Sequence, residues 1–100
     1  MNLGQKNHTA GNTTRYAVDY SNWLDEGVSL TPASATVVLD PASAAATDVV
    51  ITAVTITPSN HVVFFLHATV LNETFTLDVQ VTDSRGEIKN DTCSFRVVAP

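Results

Sequence analysis

One hundred residues with 44% apolar and 15% charged side chains bound a single globular domain, large enough to bury about 65% of its unfolded surface without disulfides or metal. The net charge is −5, and the five basic residues, Lys6, Arg15, Arg85, Lys89 and Arg96, are scattered, which excludes the basic stripe that nucleic acid or an anionic membrane requires. Cys93 is the only cysteine, so an internal disulfide, a cysteine-ligated zinc and a thiol redox pair are excluded as well.

Residues 1–14 are polar, with Met1, Leu3 and Ala10 as their apolar members. Such a segment cannot form its own core, and it is expected to be a flexible N-terminal arm whose Leu3, Asn7 and Asn12 are candidate contacts to a partner protein. It carries no apolar leader, and no run elsewhere approaches membrane-spanning length, so neither export nor a membrane partner is expected. The Asn-x-Ser/Thr sequons at Asn7, Asn12, Asn72 and Asn90 then read as by-products of abundant Asn and Thr.

The sandwich domain is expected to span residues 15–100. Tyr16, Val18 and Tyr20 alternate with Ala17, Asp19 and Ser21, the period of a half-buried strand. The period breaks at Asn22-Trp23-Leu24, where Trp23 is placed to plug one end of a core, and Asp25-Glu26-Gly27 reverses the chain. A break at residues 31–34 precedes a short strand over 35–39, closed by Asp40-Pro41, and residues 42–46 are a loop with one helical turn at most. Val49 to Thr57 is β-branched at eight of nine positions and is expected as a central strand.

In the next strand, Val62 to Leu71, the even positions are wholly apolar. Val63, Phe65 and Leu71 on the odd positions form a stripe that a soluble monomer would rarely leave bare, so they are candidate subunit contacts. Phe75, Leu77, Val79 and Val81 alternate with polar residues in the cleanest one-sided strand of the chain. After the turn at Asp83-Ser84-Arg85-Gly86, Cys93, Phe95 and Val97 share one parity but Ile88 holds the other, which predicts a β-bulge near Asn90-Asp91. About seven strands at spacings near ten residues predict an all-β fold, an antiparallel immunoglobulin-like β-sandwich, with an up-and-down barrel as the alternative.

No catalytic or cofactor constellation is legible. Asp25 and Glu26 form a solvated turn, Cys93 on an apolar parity reads as a small hydrophobe, and His8, His61 and His67 are not expected to share a metal ion. No nucleophile elbow, HExxH helix, P-loop or dinucleotide turn is present, so the chain is expected not to be an enzyme and to need no cofactor. Trp23 and the two tyrosines would suit a carbohydrate platform only if exposed; packing at a sandwich corner is the commoner use.

The stretch YAVDYSNWLDEGVSL, residues 16–30, resembles the opening strand and acidic Gly turn of small β-sandwich proteins of tailed bacteriophages, and TDSRGEIKNDTCSFRVV, residues 82–98, resembles their closing hairpin. Residues 40–72 depart from that pattern, carrying the apolar VVFFLHATVL in place of a Gly-rich turn. The resemblance implies a virion structural protein made in the host cytoplasm. A head decoration or cement protein bound to the major capsid protein is the main expectation, with other virion proteins or further copies of the chain as partners. A tail or neck component is the alternative, alongside an Ig-like adhesin or carbohydrate-binding module.

Overall fold

The computed structural model describes residues 2–30, 35–43, 46 and 48–100. Among them are seven strands: β1 Asn2–Thr9, β2 Thr13–Asp19, β3 Thr36–Leu39, β4 Val50–Ile56, β5 His61–His67, β6 Thr74–Thr82 and β7 Ile88–Val98. They form two sheets, ordered β1-β7-β6-β3 and β2-β5-β4, and a 3-10 turn at Pro41–Ser43 follows β3. This is the constant-type immunoglobulin arrangement with its first strand moved: β2-β5-β4 and β3-β6-β7 take the places of the two Ig sheets, and β1 lies on β7.

The one-sided alternation explains the packing. Val62, Phe64 and Leu66 of β5 face Phe75, Leu77, Val79 and Val81 of β6 and Cys93, Phe95 and Val97 of β7, all buried, with Val37, Leu30, Ala68 and Tyr20 completing the cluster. An aromatic chain crosses the sandwich. Phe75 stacks on Phe95 at 5.6 Å, Phe95 meets Tyr16 edge-on at 5.0 Å, and Tyr16 lies 5.9 Å from Phe64. Fully burying one such side chain contributes about 1.5–3 kcal/mol. Trp23 is half-buried against this cluster and edge-on to Tyr20 at 6.2 Å, the end-plug position expected for it.

Four expectations are corrected. Where an unpaired arm is expected, Asn2–Thr9 is paired parallel to β7, with Gln5 opposite Ser94 and Thr9 opposite Val98, so the sandwich is not wholly antiparallel. Backbone hydrogen bonds to β7, not a core of its own, organise it. β4 is an edge strand with alternating exposure, because β-branched Thr and Val favour extended backbone wherever the strand lies in the sheet.

The bulge also lies elsewhere. Pairing of β6 with β7 runs without interruption from Thr74↔Arg96 to Thr82↔Ile88, through Asn90 and Asp91. The parity never slips: Asp91 faces the core as a buried carboxylate, and Ile88 is simply exposed. The extra residue falls between Thr52 and Thr55 of β4, where Ala53 takes the left-handed conformation, φ 54°. Finally, β5 ends at His67, and Leu71 lies in the turn that follows it.

Candidate protein-interaction surface

The two outer faces of the sandwich differ in chemistry. On the four-stranded sheet, Thr76 hydrogen-bonds Ser94 at 3.1 Å and the Gln80 amide donates to Asn90 Oδ1 at 2.9 Å, a polar ladder along β6 and β7. At its β3 edge, a hydrogen bond to the Asp40 carboxyl, with burial and Asp40's charge adding to it, raises the Asp78 carboxyl above its ordinary value.

The outer face of β2-β5-β4 is apolar at its centre. Register places Arg15, Phe65 and Thr52 in one row, Ala17, Val63 and Thr55 in the next, and Thr13, His67 and Val50 in a third. The Val63 side is 4% exposed, Phe65 is half-buried, and Val50 is 49% exposed. Thr13 Oγ1 and His67 Nδ1 share a hydrogen bond of 3.2 Å across the third row. At the far end of the face His61 Nε2 sits 3.6 Å from Asp19 Oδ2, and the hydroxyl and amide of Ser21 hold that carboxyl below its ordinary value.

Of the expected contact residues, the structure brings together Val63 and Phe65. Leu71, 52% exposed, stands in the turn beyond the end of β5, so the three do not form one stripe. Leu3 packs against the core, whereas Asn7 on β1 and Asn12 in the following turn are exposed. Val50, Ala17 and Arg15 complete the apolar-centred face and were not singled out in the sequence. Each is ordinary within its own strand, and only the register of three strands gathers them around Phe65.

His8 is 0% exposed. Its Nε2 lies 3.0 Å from the Asn12 carbonyl, which can only accept, so Nε2 carries a proton, and Nδ1 lies 2.9 Å from the Tyr16 hydroxyl. The ring pins the crossing from β1 to β2 together with Ala10 N–H to Val98 O and Gly11 N–H to Ala68 O, both 2.9 Å. His61 and His67 stand at opposite ends of β5, about 20 Å apart at strand spacing. Among the described residues no group of three or more His, Cys, Asp or Glu side chains could hold a metal ion.

Two clusters tie the loop after β2 to the β6–β7 hairpin. The Tyr20 hydroxyl donates to Asp91 Oδ2 at 2.7 Å, and Lys89 Nζ approaches Asp91 Oδ1 at 3.5 Å while lying 5.8 Å from the centre of the Trp23 ring. Burial, and then the bond to the Asp91 carboxylate, push the Tyr20 phenol far above its ordinary value. At the hairpin tip the Arg85 guanidinium meets Asp25 at 2.9 Å, Glu87 at 2.8 Å and Asp83 at 3.3 Å. Burial works against the Asp83 carboxylate, but the amides of Glu87 and Arg85 and the guanidinium outweigh it, so its pKa is lowered.

Trp23, Tyr20 and Tyr16 are therefore committed to packing, and the aromatic platform a sugar-binding module would need is not assembled from them. Burial likewise raises the Cys93 thiol, partly offset by Lys6, which fits a packing role.

The sandwich thus carries one apolar-centred and one polar outer face. A protein-family model described as the podophage GP4 fiber-tail adaptor protein gp77 matches residues 8–96, from the His8 anchor through nearly all of β7. The chain belongs to that family and is a phage virion structural protein. A search of curated proteins found no match.

Proposed function

We propose that this chain is a fibre–tail adaptor, a non-catalytic virion part that links a receptor-binding fibre to the tail. The observation that carries the reading is the family match across both sheets, residues 8–96, which favours the tail component over head decoration on the major capsid protein. The physical requirement of an adaptor is two non-equivalent surfaces, and the sandwich has them: the face centred on Phe65 and Val63, and the polar ladder of β6 and β7. The apolar-centred face takes the fibre, because Phe65, Val50 and Ala17 give area whose burial is favourable, while Arg15 at its margin supplies direction. No step of chemistry is required of such a part, and the chain acts by fit alone.

The experiment is depletion. Particles assembled without this protein should keep filled heads and tails and lose fibres, counted by electron microscopy and by the mass-spectrometric ratio of fibre to capsid protein. Fibres at wild-type number on particles whose heads have become fragile would overturn the adaptor reading in favour of head decoration.

A further inference from the structure

We propose that the first strand is exchanged between copies: residues 2–7 of one chain pair with β7 of a second copy of this chain, in the parallel register that β1 holds on its own β7. The proposal stands apart from the adaptor reading, since it concerns what holds one copy to another and not what the outer faces bind.

Three features converge on it. The first is what holds β1 in place. Between residues 3 and 7, Leu3 is the apolar side chain and is only half-buried, while Gly4, Gln5, Lys6 and Asn7 are exposed. The strand is thus held chiefly by its backbone ladder to β7, and a ladder is satisfied equally well by the same strand from another copy.

The second is topology. β1 has no chain neighbour in its own sheet: β2 belongs to the other sheet, and β7, its partner, lies at the far end of the chain. A hairpin enforces pairing within one molecule; a first strand laid parallel on the last one is under no such constraint.

The third is a defined release point. His8 is fully buried, with both ring nitrogens bonded, and Ala10 and Gly11 are tied to Val98 and Ala68, so the chain is fixed from residue 8 onward. Before that point, the pairing is already irregular, shifting register between Asn2 and Gln5 where Gly4 takes φ +96°. Because His8 is held, Asn7 moves by only about one residue's rise, ~3.3 Å, whereas residue 2 swings through about 20 Å. Exchange in the native register therefore brings the two β7 edges side by side, with the second copy's Arg96 next to Asn7. Once β1 leaves, the bared edge of β7 is a template for an incoming strand, and the segment whose register already fits it is a second β1.

The test uses the facing pair Asn7 and Arg96, both exposed and opposite one another in register. In a Cys93→Ala background, Asn7→Cys chains are mixed with Arg96→Cys chains under mild oxidation, and disulfide-linked pairs of unlike chains are counted on non-reducing gels. Asn7→Cys mixed with Glu26→Cys, on the turn near the opposite end of the sandwich, gives the collision background. Exchange predicts unlike pairs several-fold above that background. Yield equal to background overturns it. Should the cysteine variants fail to fold, sedimentation of the wild-type chain against a chain lacking residues 2–7 decides: self-association confined to the full chain supports exchange, and identical behaviour of the two at every concentration overturns it.

Discussion

At the residue scale, the molecule is defined by buried polar groups that the sequence presents as surface. Asp91 is the clearest case. A carboxylate on the apolar parity of β7 looked like a break in the strand, yet it is accommodated because the Tyr20 hydroxyl and the Lys89 ammonium both reach it. Lys89 stands two residues away on the same strand, but Tyr20 lies 71 residues back in the chain, so nothing local signals that bond. Tyr20→Phe removes the hydroxyl and leaves the packing, and it is expected to cost about 1.5–3 kcal/mol, the range for hydrogen bonds to charged groups, read from urea unfolding.

Two carboxyls give opposite pH behaviour. The Asp83 carboxyl is lowered from its ordinary 3.8, so its contribution to stability is complete above that value and is lost as pH falls through the lowered one. Removing the guanidinium with Arg85→Ala takes away part of what lowers it, and the acid-unfolding midpoint should move to higher pH in a circular dichroism titration. The Asp78 carboxyl is raised, so the fold is favoured below its ordinary value and disfavoured once pH rises through the raised one. Asp78→Asn should therefore raise the thermal midpoint at neutral pH and lose that advantage in acid.

At the element scale, what a strand's own residues decide is legible, and what its neighbours decide is not. The alternation of Phe75, Leu77, Val79 and Val81 identifies β6, its core face and its place in a sandwich, because one face is fully buried and the other polar. The same reasoning marks β4 as a strand but not as an edge, since β-branched side chains report backbone preference and not the number of paired neighbours. The leader escaped detection because β1 shows no hydrophobic period; its strand character comes from β7. The bulge in β4 escaped for a related reason, as Ala53 carries none of the Gly or Asn chemistry that advertises a left-handed residue. Ala53→Gly should relieve that conformation and stabilise the fold by about 1 kcal/mol, less whatever freedom glycine adds to the unfolded chain. A rise in the urea midpoint with an unchanged slope is the expected record.

At the scale of the whole molecule, the fold class, the shared core and the pairing of Val63 with Phe65 on one face were all readable from parity alone. The composition of the candidate face was not, because Arg15, Ala17 and Val50 join Phe65 only through the registers of β2 and β4 on β5. The sequence resemblance led to the tailed phages, and the family match moves the emphasis from the head to the tail. In the proposed function, fibre attachment falls on the apolar-centred face, and the polar ladder of the opposite sheet stands outside that contact. Particles assembled with Phe65→Asp protein, and separately with Thr74→Asp protein as the control on the other face, where Thr74 is exposed and opposite Arg96, test this most directly when fibre-to-capsid ratios are measured by mass spectrometry alongside circular dichroism of each purified variant. The expected result is a folded Phe65→Asp protein whose particles are depleted of fibres, with the Thr74→Asp particles near wild type; fibres at full number on particles carrying folded Phe65→Asp protein would contradict it.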